Sequence, residues 1–363
     1  MTVIDCDAHV EESDATWSYM PEEWQMFRPF AVTFPKNTYF GSHDAAWVID
    51  YKIRLYAANP TIMTRATQKD TSIPIQELAD VAGRVAAMDM MGIDHQVVFP
   101  SIWLGVLAEN VELEAALASS YNTFMAKQCG LSNGRLTYVA VLPWRRSDLA
   151  VAEIKRVTQL GSAIGIFCRG MEWDSPLTHP DFRPIFAEAE AQDLPIAIHV
   201  GNGTSPTISR MLEGITRPHY GDPAPHINPY GNGIVSGPYV QYAFQQILGS
   251  DMLERVPKLR VGFMEAGSEW TVPIVRKLRE RRAKFIDSVL GDRVFVACAV
   301  DEDIPHIIDK VGVDFLVTQT DFPHGDAFRE DHLRENLAER GDVSTADIAK
   351  ILGDNPARLF KRG

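Results

Sequence analysis

The sequence has few cysteines, no long apolar run and no excess of positive charge. Its four cysteines, Cys6, Cys129, Cys168 and Cys298, are scattered through 363 residues with no C-x-x-C pair. They read as reduced core cysteines in a reducing compartment, not as a disulfide framework. No stretch is apolar for long enough to span a bilayer, and no basic segment followed by an apolar one opens the chain. A cytoplasmic location is the default expectation. The net charge of −13 argues against nucleic acid and anionic membrane as partners and leaves a small-molecule substrate. No G-x-G-x-x-G follows the first apolar strand, which disfavours a dinucleotide fold.

What is present is an ordinary globular composition, 45% hydrophobic and 23% charged. The length suits either two domains or one large α/β barrel. Short apolar strands are expected near residues 3, 96, 138, 165, 196, 262, 296 and 317. Helical patterns separate them: Gln76 to Met91, Glu112 to Cys129, Ser147 to Leu160, Pro180 to Gln192, Tyr239 to Leu253, Pro273 to Leu290, Asp303 to Val311 and Ser344 to Phe360. Continuous apolar strands alternating with helices imply a parallel sheet buried on both faces. Eight such units predict a single (β/α)8 TIM barrel spanning the chain. Two long irregular stretches, about residues 10–80 and 200–238, read as insertions after strands one and five, covering the C-terminal face. Trp17, Tyr19, Trp24, Phe27 and Phe30 crowd the first; they would either line a pocket or form a satellite core.

In such a barrel the C-terminal strand ends converge on one face, where active sites form. The first strand ends Asp5-Cys6-Asp7-Ala8-His9, and alternation puts Asp7 and His9 on one face. His199 ends strand five, Glu265 follows strand six and Asp321 follows strand eight. Carboxylates and neutral imidazoles together suit a divalent cation such as zinc, manganese or iron.

These pieces resemble the amidohydrolase superfamily, in the branch of aminocarboxymuconate semialdehyde decarboxylase and γ-resorcylate decarboxylase. The resemblance rests on Ile4-Asp-Cys-Asp-Ala-His9, Leu194-Pro-Ile-Ala-Ile-His199, Pro257 to Gly267, Thr320-Asp-Phe-Pro-His324 and Ile351 to Phe360, in order along the whole chain. It implies Asp7 and His9 in place of the family's first-strand H-x-H or E-x-H, His199 as the strand-five ligand and Asp321 as the strand-eight ligand. Relatives of this branch are often dimers, so a homodimer is an expectation. Two positions depart from the branch: the first ligand is the shorter Asp7, and Glu265 stands where the decarboxylases carry a proton-transferring histidine. A glutamate facing a cation is expected to be ionised and to act as a ligand.

Asp7, Glu265 and Asp321, with Asp5 adding to the surplus, bring enough negative charge for two cations rather than one. On that ground the residues favour a hydrolase acting on an amide, lactone, ester or thioester, with Asp321 shuttling the proton. A one-metal decarboxylase of an aromatic or unsaturated acid is the alternative, and a metal-containing binding protein a third reading. Secondary candidates for substrate contact are Arg169, His219, His226 and His324, the last also placed to orient Asp321. Cys168 reads as barrel packing.

Overall fold

The computed structural model describes residues 2–33, 45–54, 71–201, 203–205, 237–324 and 329–361. Eight parallel strands form one sheet whose order follows the sequence: β1 (Ile4–Val10), β2 (His95–Pro100), β3 (Leu136–Ala140), β4 (Ala163–Arg169), β5 (Ile196–His199), β6 (Val261–Met264), β7 (Val294–Ala297) and β8 (Leu316–Val317). The sheet's two edges meet: Cys6 N donates to Thr318 O at 3.1 Å, and Asp321 N donates to Asp7 O at 2.9 Å. This is the expected (β/α)8 barrel. Runs such as Ile196-Ala-Ile and Val294-Phe-Val-Ala are buried at every residue, as parallel strands covered on both faces must be.

Helices α1 (Val81–Met90), α2 (Val111–Gly130), α3 (Ser147–Leu160), α4 (Arg183–Ala191), α5 (Gly237–Gly249), α6 (Thr271–Val289) and α7 (Ile304–Lys310) flank the sheet. Local chemistry sets their ends. Asn110 Oδ1 caps α2 by accepting Glu112 N at 3.0 Å and Leu113 N at 3.1 Å, and Glu112 and Glu114 in its first turn complement the helix dipole. The pattern from Tyr239 to Leu253 is not one helix: α5 ends at Gly249 and a short turn, Met252–Arg255, follows.

The closing stretch also departs from the single helix expected. Ser344 Oγ accepts Asp347 N at 3.1 Å and caps the first turn. The helix then widens into a π turn over Lys350–Asp354 before resuming as Asn355–Phe360. Pro356 explains the widening, because it lacks an N–H and its ring crowds the carbonyl four residues back. Asn355 Nδ2 donates to Val313 O at 2.9 Å and Leu316 O at 2.7 Å, fastening this end beneath β8.

The first insertion carries an antiparallel sheet, Phe30–Thr33, Ala45–Ile49 and Lys52–Arg54. Trp17 and Trp47 are fully buried and meet edge to face at 6.1 Å, so this pair forms a satellite core. The second insertion lies largely outside the described residues. Among those described, no helix is long and apolar enough to cross a membrane.

Candidate metal centre

Strand ends deliver the predicted donors to one place. β1 carries Asp7 and His9, β5 ends on His199, Glu265 follows β6 and Asp321 follows β8; all five are buried. His199 Nε2 lies 3.1 Å from Asp7 Oδ2 and 3.1 Å from Glu265 Oε2. His9 Nε2 lies 3.4 Å from Asp7 Oδ1 and 3.3 Å from Asp321 Oδ1. Donor atoms of Asp7, His9, His199 and Glu265 all fall within 4.8 Å of one another. Glu265 and Asp321 share a backbone signature, φ +53° and +55°. For non-glycine residues this left-handed conformation costs roughly 1–3 kcal/mol and clusters at functional sites.

Hydrogen bonding fixes the tautomers. His9 Nδ1 faces the Pro100 carbonyl at 3.1 Å, and His199 Nδ1 faces the Val200 carbonyl at 2.8 Å. A carbonyl only accepts, so each Nδ1 carries a proton, and each ring turns its Nε2 toward the cluster as the atom that would ligate when it bears no proton. Both Asp7 oxygens and both Nε2 atoms are buried and make no hydrogen bond among the described residues. Buried polar atoms without a hydrogen bond are costly, and a cation would satisfy all four. The donor set therefore fits a divalent metal.

Electrostatics agree. Burial alone would raise the Asp7 carboxyl, but His199 and His9 beside it hold it down to about 2. Burial lowers His9 and keeps it neutral. Burial would also lower His199, but Asp7 and Glu265 override it and push the ring up to about 9.

His324 Nδ1 is 2.8 Å from Asp321 Oδ1, and its ring stacks on His9 with centroids 3.9 Å apart. Its Nε2 meets Ser101 Oγ at 2.8 Å and Glu11 Oε1 at 3.5 Å. Burial drives His324 well below the ordinary imidazole value and Glu11 well above the ordinary carboxyl value. Sequence reasoning missed Glu11, Glu12 and Ser101. Alternation could have found Glu11, which continues the Asp5, Asp7, His9 face. Glu12 accepts Ser101 N at 3.2 Å and Ile102 N at 2.9 Å, steadying the end of β2.

Asp5 and Arg169 are engaged away from the cluster, and the burial of Cys168 fits barrel packing. The Asp5 carboxylate bonds to Gln96, Thr320 and the Asp7 backbone, so it is not part of the surplus charge facing the cluster. Arg169 directs its guanidinium to Glu172 and to the carbonyls of Trp103 and Gly105, at 3.3 and 2.9 Å. Cys168 is buried, and its thiol lies 3.8 Å from Glu172 Oε1. His219 and His226 lie outside the described residues.

Comparison with known proteins identifies the family of this barrel. Over 312 residues the chain is 22% identical to a γ-resorcylate decarboxylase of Rhizobium radiobacter, covering 77% of this chain and 86% of that one. An amidohydrolase of Mycobacterium avium subsp. paratuberculosis K-10 superposes with a TM-score of 0.78 at 18% identity, over 99% of each chain. A dihydroxybenzoic acid decarboxylase of Polaromonas sp. JS666, solved with bound manganese and the inhibitor 2-nitroresorcinol, gives 0.62 at 17% identity, over 100% of this chain and 98% of that one. A family model for amidohydrolases matches residues 4–362, and the chain belongs to the amidohydrolase family.

Proposed function

We propose that this protein is a metal-dependent, non-oxidative decarboxylase of an aromatic or unsaturated carboxylic acid. The observation that carries the reading is the convergence of Asp7, His9, His199 and Glu265 donors on a single point, which suits one cation rather than two. The decarboxylase relative across most of the chain supports it. Asp7, His9, His199 and Glu265 would hold the ion, with Asp321 at its edge beside His9. When bound, the cation supplies positive charge that binds and orients a carboxylate substrate.

The chain's own groups supply the proton. Loss of carbon dioxide leaves an electron pair on the vacated carbon, and a proton must take the carboxylate's place. Asp321 is the donor in this reading, and the neutral His324 ring relays the replacement: its Nδ1–H, 2.8 Å away, passes to Asp321 Oδ1 as Nε2 takes a proton from the Ser101 hydroxyl 2.8 Å away, which recovers it from water. Buried surroundings at Asp321 keep its own transfer to carbon away from bulk water.

A second reading, hydrolysis of an activated carboxyl derivative, is favoured by Glu265 itself, an acid where the branch's decarboxylases carry a histidine. The test is metal content per chain together with a substrate panel. About one equivalent, with carbon dioxide released from γ-resorcylate or related unsaturated acids, supports decarboxylation. Cleavage of esters, thioesters, lactones or amides without carbon dioxide release overturns it.

A further inference from the structure

The barrel closes at a seam without a regular ladder. β8 is two residues long and pairs with β7. Beyond it the chain meets β1 through isolated backbone bonds, among them Asp321 N to Asp7 O at 2.9 Å and His9 N to Phe322 O at 2.6 Å. Two residues of the proposed site, Asp7 and Asp321, therefore face each other across the least regular joint of the barrel.

Asp5 sits directly behind that joint. Its fully buried carboxylate accepts four hydrogen bonds: from Asp7 N at 3.2 Å, Gln96 Nε2 at 2.9 Å, Thr320 N at 2.9 Å and Thr320 Oγ1. One side chain thus holds the backbone of Asp7, a side chain of β2 and the residue immediately before Asp321. The Thr320 hydroxyl, having given its proton to Asp5, accepts Phe322 N at 3.1 Å. Both flanks of Asp321 are pinned in this way, and Asp321 is the residue held at φ +55°. Arg84, also fully buried, supplies the countercharge through an inserted amide: its Nε donates to Gln96 Oε1 at 2.9 Å. The guanidinium also donates to Phe322 O at 3.3 Å and lies 4.2 Å above the Phe322 ring centroid.

We propose that Asp5, Thr320, Gln96 and Arg84 form a seam latch: positioning residues that set the spacing of Asp7 and Asp321 and thereby the affinity of the site for its cation. The proposal rests on the reading that this cluster holds a metal. None of the four takes part in the chemistry. Their work is to keep a carboxylate on each side of an unladdered seam in register, which a free strand end in a left-handed conformation would not maintain.

The test compares Thr320→Val, which removes the hydroxyl at nearly constant volume, with Thr320→Ser, which keeps it. Metal-free proteins are titrated calorimetrically with zinc chloride. The expected result is a dissociation constant about 10- to 100-fold weaker for Thr320→Val and close to wild type for Thr320→Ser. If Thr320→Val does not fold, Gln96→Met, which removes another of the four bonds to Asp5, is judged by the same comparison with wild type. Equal zinc affinity in wild type and Thr320→Val, with only the melting temperature lowered, overturns the latch and leaves the ligand reading standing. A wild type that binds no zinc overturns the ligand reading and the latch with it.

Discussion

Loading this site with metal is expected to expel one proton, not two. In the metal-free protein His199 Nε2 lies between Asp7 Oδ2 and Glu265 Oε2, 3.1 Å from each. Burial opposes an imidazolium there, but the two carboxylates hold the ring up to about 9. His9 is lowered by its burial and stays neutral. At pH 7 the protonated form of His199 therefore outweighs the neutral one by about a hundredfold, and a nitrogen must shed its proton before it can ligate. Apparent affinity should fall about tenfold for each pH unit below about 9, reaching a loss of about a hundredfold, or ~3 kcal/mol, at pH 7.

The assay is calorimetric titration of chelator-stripped protein with zinc chloride at pH 7, repeated in buffers of different ionisation enthalpy. The dependence of the observed heat on that enthalpy counts the protons released, and about one per ion is expected. No release, with affinity independent of pH between 6 and 8, would refute the reasoning. The same pair sets the stability of the metal-free protein. His199 is raised above its ordinary 6.5, so its contribution is complete below about 6.5 and lost as pH climbs through about 9. Asp7 is lowered from 3.8, so its contribution is present above about 3.8 and lost as pH falls through about 2. The melting temperature of stripped protein should fall on both sides of that window, and added metal should restore it most at the alkaline end.

Three further outcomes are expected. Asp321→Asn should reduce turnover by about 10²- to 10⁴-fold with the far-ultraviolet circular dichroism unchanged; retained activity removes Asp321 from the proton path. Glu172→Gln leaves the Arg169 guanidinium, 4% exposed, without its anion, a loss of ~3–5 kcal/mol. With about 2 cal/mol/K of unfolding entropy per residue, that lowers the melting temperature by roughly 4–7 °C, whereas the double variant Arg169→Met/Glu172→Leu should lose less; additive losses would show the pair is not coupled. Gly267→Ala adds a Cβ 2.7 Å from Glu302 Oε1 at a φ of +64°. Because the Glu302 carboxylate holds Ser268 N, Ser268 Oγ and Glu269 N, the variant should lose ~1–3 kcal/mol of stability and turn over more slowly as the loop after Glu265 shifts. Unchanged kinetics would separate that loop from the site.

The barrel was legible because its strands are continuous apolar runs separated by helical periodicity, and the donors because each ends such a run. His199 and Asp321 need no contact information to be placed on the same rim. What the sequence hid depends on contacts between distant residues. Asp5 looks like one more acid beside Asp7, and only the placement of Thr320 and Gln96 turns its carboxylate away from the cluster. Glu11 and Glu12 look like solvated charges after a strand; burial against Ser101 and His324 makes them part of the site's support. Arg169 has the composition of a substrate anchor, yet Glu172, three residues on, accepts its charge. The expectation of hydrolysis grew from counting four acids near the rim, and the decarboxylase relative favours the alternative.

For the proposed decarboxylase, charge around the cluster favours one cation over two. With Asp5 engaged elsewhere, Asp7 and Glu265 are the anions closest to His199. Their two negative charges match one divalent ion. A second grouping, His9, Asp321 and His324, has the donor types for another ion. It shares His9 with the first, however, and the His9 Nδ1 faces Pro100 O, so its single Nε2 lone pair cannot serve both. The Asp321 Oδ1 atom is already met by His324 Nδ1 at 2.8 Å. Placing a second cation there would break that contact and leave Asp321 unable to receive the proton that the contact delivers. In the proposed decarboxylation, one cation would leave Asp321 beside it as a proton carrier, which is what replacing a carboxylate by hydrogen requires.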